Sequence, residues 1–288
     1  MISFSRLGSH GRLGNQLFQY ALLLGVAAKT GFKIGIPRMR HLLGEFHLPE
    51  EVFNASIHPS RRITPSHRER QYGFDESVFS VEDGTDFFGY YQTEKYFEHV
   101  GETVRSHLVP ASKYVERATA DMDGYRSEWD RTLPPGYSTV MLHMRRGDNV
   151  HGGGIDPKLH ASFIPLQPLA YYRNAIDLLS QCTKQALAYV VFSNDSADAA
   201  WCSENFPLPN AVYRGGPEDD PVWDFACMLL CDHKIISNST MSWWAAWLSE
   251  KPSAIIVRPT LWFGPAYPPP RWDIKDLFPE RWLSAGPK

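Results

Sequence analysis

The sequence predicts an α/β protein of two halves, each built on a parallel sheet, and three observations carry that prediction. Apolar runs of strand length alternate with helical stripes in the order strand, loop, helix, strand. A Pro134-Pro135-Gly136 break interrupts the 288 residues near their middle. Three strands beyond that break each end in a polar cluster, at the sheet edge where open parallel sheets bind ligands.

The elements follow in order. Residues 2–7 read as a strand, 8–14 as a glycine-bearing loop and 15–29 as a helix, with Leu17, Phe18, Ala21, Leu22, Leu24 and Ala28 on one stripe. Gly31 is placed to stop that helix, and 32–36 reads as the next strand. The stretch 40–85, rich in Pro, His and Arg, shows no clear period. Residues 86–100 look like a strand running into a helix, and 112–131 like a charged amphipathic helix. After the break come a strand at 138–144, a helix at 168–181 with Pro168 in its first position, a strand at 188–192 and a short helix at 197–205. Asp220-Pro221 opens a helix over 221–232. A strand at 234–237, a helix at 241–249 and a strand at 254–258 complete the pattern. The expected domains are 1–134 and 135–288, with Pro268-Pro269-Pro270 laying the carboxy-terminal tail along a surface.

Composition narrows the function classes. With 43% hydrophobic residues the chain can bury a core, and a formal net charge of -3 gives no global attraction to nucleic acid. The four cysteines are too few and too irregular for a disulfide scaffold, and no Cys/His spacing resembles a zinc site. Cys227 and Cys231 are expected as buried thiols on one helix face. The first residues lack a basic segment followed by an apolar run, and no stretch approaches the roughly 18 apolar residues of a membrane span. The expectation is a soluble, cytoplasmic protein. Arg61, Arg62, Arg68 and Arg70 read as a solvated loop, with a weak peripheral contact to a membrane or polyanion as the alternative.

The polar clusters are His143, Arg145, Arg146 and Asp148 after one strand, Ser193, Asn194 and Asp195 after the second, and Asn238, Ser239, Thr240 and Ser242 after the third. Any one of them could be ordinary turn or capping chemistry. Together they suggest an anion site, because helix-initial hydroxyls and N–H groups accept phosphate and an adjacent arginine grips it bidentately. A diphosphate-bearing ligand is expected across the top of the sheet. The amino-terminal loop GSHGRLGNQ has the same placement in the first half, but it is neither GxGxxG nor GxxxxGK[ST]. Asp121-Met122-Asp123 lies in a charged helical stretch rather than after a strand, so metal chemistry is not expected. Charge on a departing phosphate then falls to protein donors, of which Arg145 and Arg146 are the obvious ones. Trp243 and Trp244 could form a sugar platform, yet their helical spacing favours core packing.

GRLGNQLFQYA (11–21), GYYQTEKYF (89–97), HMRRGD (143–148), VVFSND (190–195) and SNSTMSWWAAWL (237–248) resemble, in order and spacing, the motif set of the bacterial α-1,2-fucosyltransferases of glycosyltransferase family 11. The resemblance implies a GT-B fold, with two Rossmann-type domains facing across a cleft, the first on the acceptor side and the second binding GDP-fucose. It implies inverting transfer of fucose to the 2-hydroxyl of a terminal β-galactoside, such as lactose or an N-acetyllactosamine end, with no metal and no other cofactor. By motif, Arg145 would hold the β-phosphate and His143 would frame the nucleotide. Asn238 would read guanine, and Ser239, Thr240 and Ser242 would add hydroxyl contacts. Gly14 and Asn15 would approach the diphosphate from the other domain. Asp148 and Glu94 are the candidate bases. Asn149 departs from the aromatic residue that many relatives carry there, and the glycine run 152–154 suggests a flap. A GDP-sugar hydrolase and a noncatalytic glycan-binding protein remain the competing readings.

Overall fold

The computed structural model describes residues 1–38, 41–54, 56–57, 66–216 and 220–287, without the side chain of His151. The chain divides into two units, residues 1–111 with 269–279 and residues 112–268 with 280–288. The division thus falls at 111/112 rather than at 134/135. The physical reason is that helix 112–129 packs on helix 221–229 of the second unit. Part of the tail, 269–279, belongs to the first unit.

The first unit is organised by one long helix. Strand β1 (Ile2–Ser3) leads through a turn-rich loop to helix α1 (Leu13–Thr30), which buries thirteen residues between Leu13 and Val26. Gly31 ends it in the left-handed conformation, with its N–H on the Ala27 carbonyl. Gly25 is required by close approach, because a Cβ there would lie 1.8 Å from the Tyr96 carbonyl oxygen. Strand β2 (Ile34–Gly35) pairs in parallel with β1, and β3 (His67–Arg68) pairs in parallel with β4 (Phe87–Phe88). Parallel bridges Ser3 to Asp86 and Ile36 to Phe53 connect these short pieces into one irregular parallel layer. The expected strands are therefore present but shorter than predicted. Residues 86–100 give a strand, two 3-10 turns at Glu94–Tyr96 and Glu98–Val100, and then helix α2 (Gly101–His107). Of the basic loop, Arg61 and Arg62 lie outside the described residues. The Arg68 guanidinium sits over the Phe88 ring, 5.1 Å from its centroid.

The second unit carries a six-stranded sheet. Its elements are α3 (Ser112–Trp129), β5 (Ser138–His143), α4 (Gly147–His151), α5 (Pro157–Phe163), α6 (Leu169–Cys182), β6 (Leu187–Ser193), α7 (Ser196–Asn205) and β7 (Ala211–Gly215). They continue with α8 (Pro221–Leu229), β8 (His233–Ile235), α9 (Thr240–Leu248), β9 (Ile256–Pro259) and β10 (Leu283–Ala285). All strand pairs are parallel, and the order is β10-β9-β8-β5-β6-β7. The chain winds outward from β5 to one edge, returns beside β5 at β8 and winds to the other edge, as in a Rossmann-type domain. Strand β5 is buried at every position, which is why it reads as a continuous apolar run rather than an alternation. Val140, Leu142, Tyr171, Leu179, Val191, Ile235 and Val257 belong to the core between sheet and helices.

Several boundaries differ from expectation. Pro168 is the residue before α6 rather than its first helical position. Strands β7 and β10 carry no clear sequence signal, because each is a short edge strand and β7 contains Arg214. The glycine run 152–154 forms a 3-10 turn between α4 and α5. Cys231 lies beyond the end of α8, so it shares no helix with Cys227, although both thiols are buried and free.

Candidate functional site

The strand order puts the carboxyl ends of β5 and β8 side by side, at the point where the winding reverses. Crevices at such switch points are where doubly wound sheets take ligands. Beyond β5 the chain presents Met144, Arg145 and Arg146; beyond β8 it presents Ile236, Ser237 and Asn238 before α9 begins. Arg145 bridges the two, its Nη1 donating to the Asn238 carbonyl oxygen at 3.3 Å. The N-cap residue of α9, Ser239, makes no side-chain capping bond. The helix therefore directs its N-terminal N–H groups and positive dipole end at the same crevice.

Three buried polar atoms at this edge have no hydrogen-bond partner: His143 Nδ1, Ser237 Oγ and Asn238 Oδ1. Buried polar groups are nearly always paired, so these three atoms are open to hydrogen bonds from a partner outside the chain. Ser237, fully buried, is a residue that sequence reasoning missed. The signal that could have found it is its place as the first residue of the SNSTMSWWAAWL motif. Burial, reinforced by the positive charge of Arg145, holds the His143 imidazole down at about 3, so it is neutral at physiological pH.

The adjacent arginines have different jobs. Arg146 Nε donates to Asp198 Oδ1 at 3.0 Å, and its guanidinium carbon lies 3.4 Å from the Trp201 ring centroid. Asp198 Oδ2 also accepts the Gly147 N–H, and Asn194 Oδ1 accepts the Arg146 N–H, both at 2.8 Å. Ser193 Oγ donates to the Met144 carbonyl, and Asp195 caps α7 by accepting the Asp198 N–H. Arg146, Ser193, Asn194 and Asp195 thus build and brace the loop that presents Arg145. Asp198 and Trp201, one turn into α7, are bracing residues with no motif to announce them.

The remaining expected residues sort as follows. Asn238 Nδ2 donates to the Pro165 and Trp262 carbonyls at 2.8 and 3.3 Å, which fixes its amide and leaves Oδ1 as its unpaired group. Ser242 is buried and donates to the Ser239 carbonyl, while Thr240 is half-buried at the first turn of α9. Asp148 is half-buried in the first turn of α4. Asn149, buried, donates to the Pro165 carbonyl at 3.4 Å and so ties α4 to the segment after α5. Gly14, Asn15 and Glu94 belong to the first unit. There Gly14 lies buried in α1, Asn15 Oδ1 accepts from Gln92 Nε2 at 2.6 Å, and Glu94 is buried at the start of a 3-10 turn capped by Thr93. Trp243 and Trp244 are fully buried and pack on each other edge to face. Asp121 pairs with Arg214 at 2.7 Å and Asp123 with Arg126 at 3.5 Å. Among the described residues no group of three or more His, Cys, Asp or Glu could hold a metal ion, and no helix is long and apolar enough to cross a membrane.

A Rossmann-type sheet with an arginine and a helix N-terminus at its switch point defines an α/β protein whose crevice suits an anionic ligand. The family model described as Glycosyl transferase family 11 matches residues 6–267, and the chain belongs to that family of enzymes. The galactoside alpha-(1,2)-fucosyltransferase 2 of Mus musculus is 28% identical over 261 residues, covering 88% of this chain and 71% of the relative. The O-antigen biosynthesis glycosyltransferase WbnK of Escherichia coli is 35% identical over 130 residues, 44% of this chain and 40% of that protein. Among solved structures, the fucosyltransferase NodZ from Bradyrhizobium aligns with a TM-score of 0.49 at 12% identity, covering 85% of this chain and 90% of NodZ.

Proposed function

We propose that this glycosyltransferase moves L-fucose from GDP-fucose to the 2-hydroxyl of a terminal β-galactoside, with inversion at the fucose anomeric carbon and without a metal ion. The observation that carries this reading is the Arg145 guanidinium on the Asn238 carbonyl at the β5/β8 switch point, beside the N-terminus of α9. Both groups supply N–H donors where a leaving diphosphate gains charge. The unpaired Asn238 Oδ1 suits an N–H donor of the guanine base, and the neutral His143 lines the same edge without adding charge.

The acceptor oxygen attacks the anomeric carbon from the face opposite the diphosphate while the bond to the β-phosphate oxygen breaks. Alignment and leaving-group stabilisation supply most of the acceleration. A carboxylate that takes the acceptor proton adds about 10²–10⁴-fold, with Asp148 and Glu94 as the candidates. The reaction belongs in the cytoplasm or at the inner face of its membrane, where a nucleotide-sugar pool meets a growing glycan. The test is GDP release from GDP-fucose with and without lactose. Release that needs the β-galactoside is the expected result. Free fucose released without acceptor would assign a hydrolase, and absence of GDP binding would assign a glycan-binding protein.

A further inference from the structure

The first unit contains a cavity of about 170 Å³ that the donor chemistry does not use. Its wall includes His10, Glu69, Tyr72, Tyr90, Arg271 and Trp272, all within that unit. A pocket well below the roughly 300–1,000 Å³ of drug-sized ligand sites accommodates one ring rather than an extended chain.

Glu69 is the chemical centre of this cavity. Its Oε2 accepts the Tyr90 N–H at 2.7 Å and its Oε1 accepts the Tyr91 N–H at 2.8 Å. Each carboxylate oxygen keeps acceptor capacity after that bond. The wrap of backbone around the carboxylate depends on Gly89, with φ +155°, where a Cβ would lie 2.4 Å from Glu69 Cβ. Burial pushes the Glu69 carboxyl up to about 7 in spite of the two N–H bonds. Near neutral pH it can therefore accept from one hydroxyl and donate to another.

The walls around it are aromatic. His10 stacks on Tyr90 with centroids 4.6 Å apart and rings 19° from parallel, and Trp272 lies against Tyr72 at 5.9 Å. Arg271 and Arg70 are exposed on the same cavity and add guanidinium donors. A ligand that both donates to this carboxyl and accepts from the guanidinium groups carries hydroxyls, and its C–H faces pack on the rings. An uncharged pyranose has both features.

We infer that this cavity is a subsite for an uncharged pyranose of the acceptor glycan, in which Glu69 hydrogen-bonds the ring hydroxyls and the aromatic walls take its apolar face. The assignment to the acceptor rests on the transfer reaction proposed above. Binding of lactose, N-acetyllactosamine and galactosyl-N-acetylgalactosamine is measured by ligand-observed NMR on the full chain and on Glu69→Gln and Trp272→Ala. Acceptor KM, GDP affinity and Tm are read alongside. Loss of one or two bonds to a charged acceptor corresponds to roughly 10- to 100-fold weaker glycan binding. That loss in both variants, with GDP affinity and Tm kept, is the expected result. Should Glu69→Gln fail to fold, Trp272→Ala on the half-exposed wall decides alone. Unchanged glycan affinity and acceptor KM in a folded variant overturn the subsite while leaving the reaction standing, as does a wild-type protein that transfers fucose yet binds none of the three glycans. Glycan binding that Trp272→Ala abolishes, in a protein that transfers nothing from GDP-fucose, keeps the subsite and rejects the reaction.

Discussion

Replacing Arg146 by alanine should unfold the protein more readily, whereas replacing Arg145 should not. The Arg146 and Asp198 side chains are 14% and 6% exposed, so their pair is nearly dry. Removing one partner of a buried pair costs about 3–5 kcal/mol, because the other charge is left uncompensated. The Asp198 carboxylate would keep its bond from the Gly147 N–H but lose its neutralising cation. The stack on Trp201 adds roughly 1 kcal/mol or more in a desolvated setting. At roughly 2–4 °C per kcal/mol for a unit of this size, Arg146→Ala should lower Tm by on the order of 10 °C. Arg145 is half-buried and its 3.3 Å bond to the Asn238 carbonyl is a long one, whose loss should cost about 1 kcal/mol. Its effect should appear instead as at least a roughly tenfold weaker GDP affinity and a loss of transfer by orders of magnitude. Thermal melts followed by circular dichroism and GDP titration by calorimetry read the two quantities separately. A stable Arg146→Ala that loses GDP, beside an unstable Arg145→Ala that keeps it, would refute the division of labour.

Two further outcomes are expected. His143 titrates near 6.5 when unfolded and at about 3 when folded, so between those values the unfolded chain binds the extra proton and stability falls as pH drops. The contribution is about 1.4 kcal/mol per pH unit through that window. Urea midpoints from pH 7 to 4 should therefore fall less steeply for His143→Gln than for wild type, and parallel slopes would contradict the neutral buried imidazole. EDTA should leave fucosyl transfer unchanged, whereas a loss that manganese restores would assign a metal to the reaction.

Much of the site was legible in the sequence because its parts sit at fixed places in a repeating pattern. A strand followed by a polar cluster and a helix start puts hydroxyls, amides and arginines at one edge of a parallel sheet, whatever the tertiary details. Helical spacing likewise pointed Trp243 and Trp244 to the core, where both are fully buried. Strands β7 and β10 escaped because edge strands bury only part of themselves and need no continuous apolar run. The stretch 40–85 escaped for a related reason. Its described residues form isolated bridges, a two-residue strand and 3-10 turns, which leave no period.

By itself, the sequence determined the α/β alternation, the strand ends that carry polar groups and the family motifs, all of which follow from local spacing. Only the tertiary structure decided that β8 returns beside β5, which brings Asn238 to Arg145 across 93 positions. It also decided that Arg146 turns to Asp198 and Trp201 while its neighbour stays at the crevice, and that Glu69 shares a cavity with aromatic side chains from four segments. The physical reason is that a side chain's partner across the fold is chosen by strand order and loop path. Those depend on how the whole core packs and not on any residue's near neighbours.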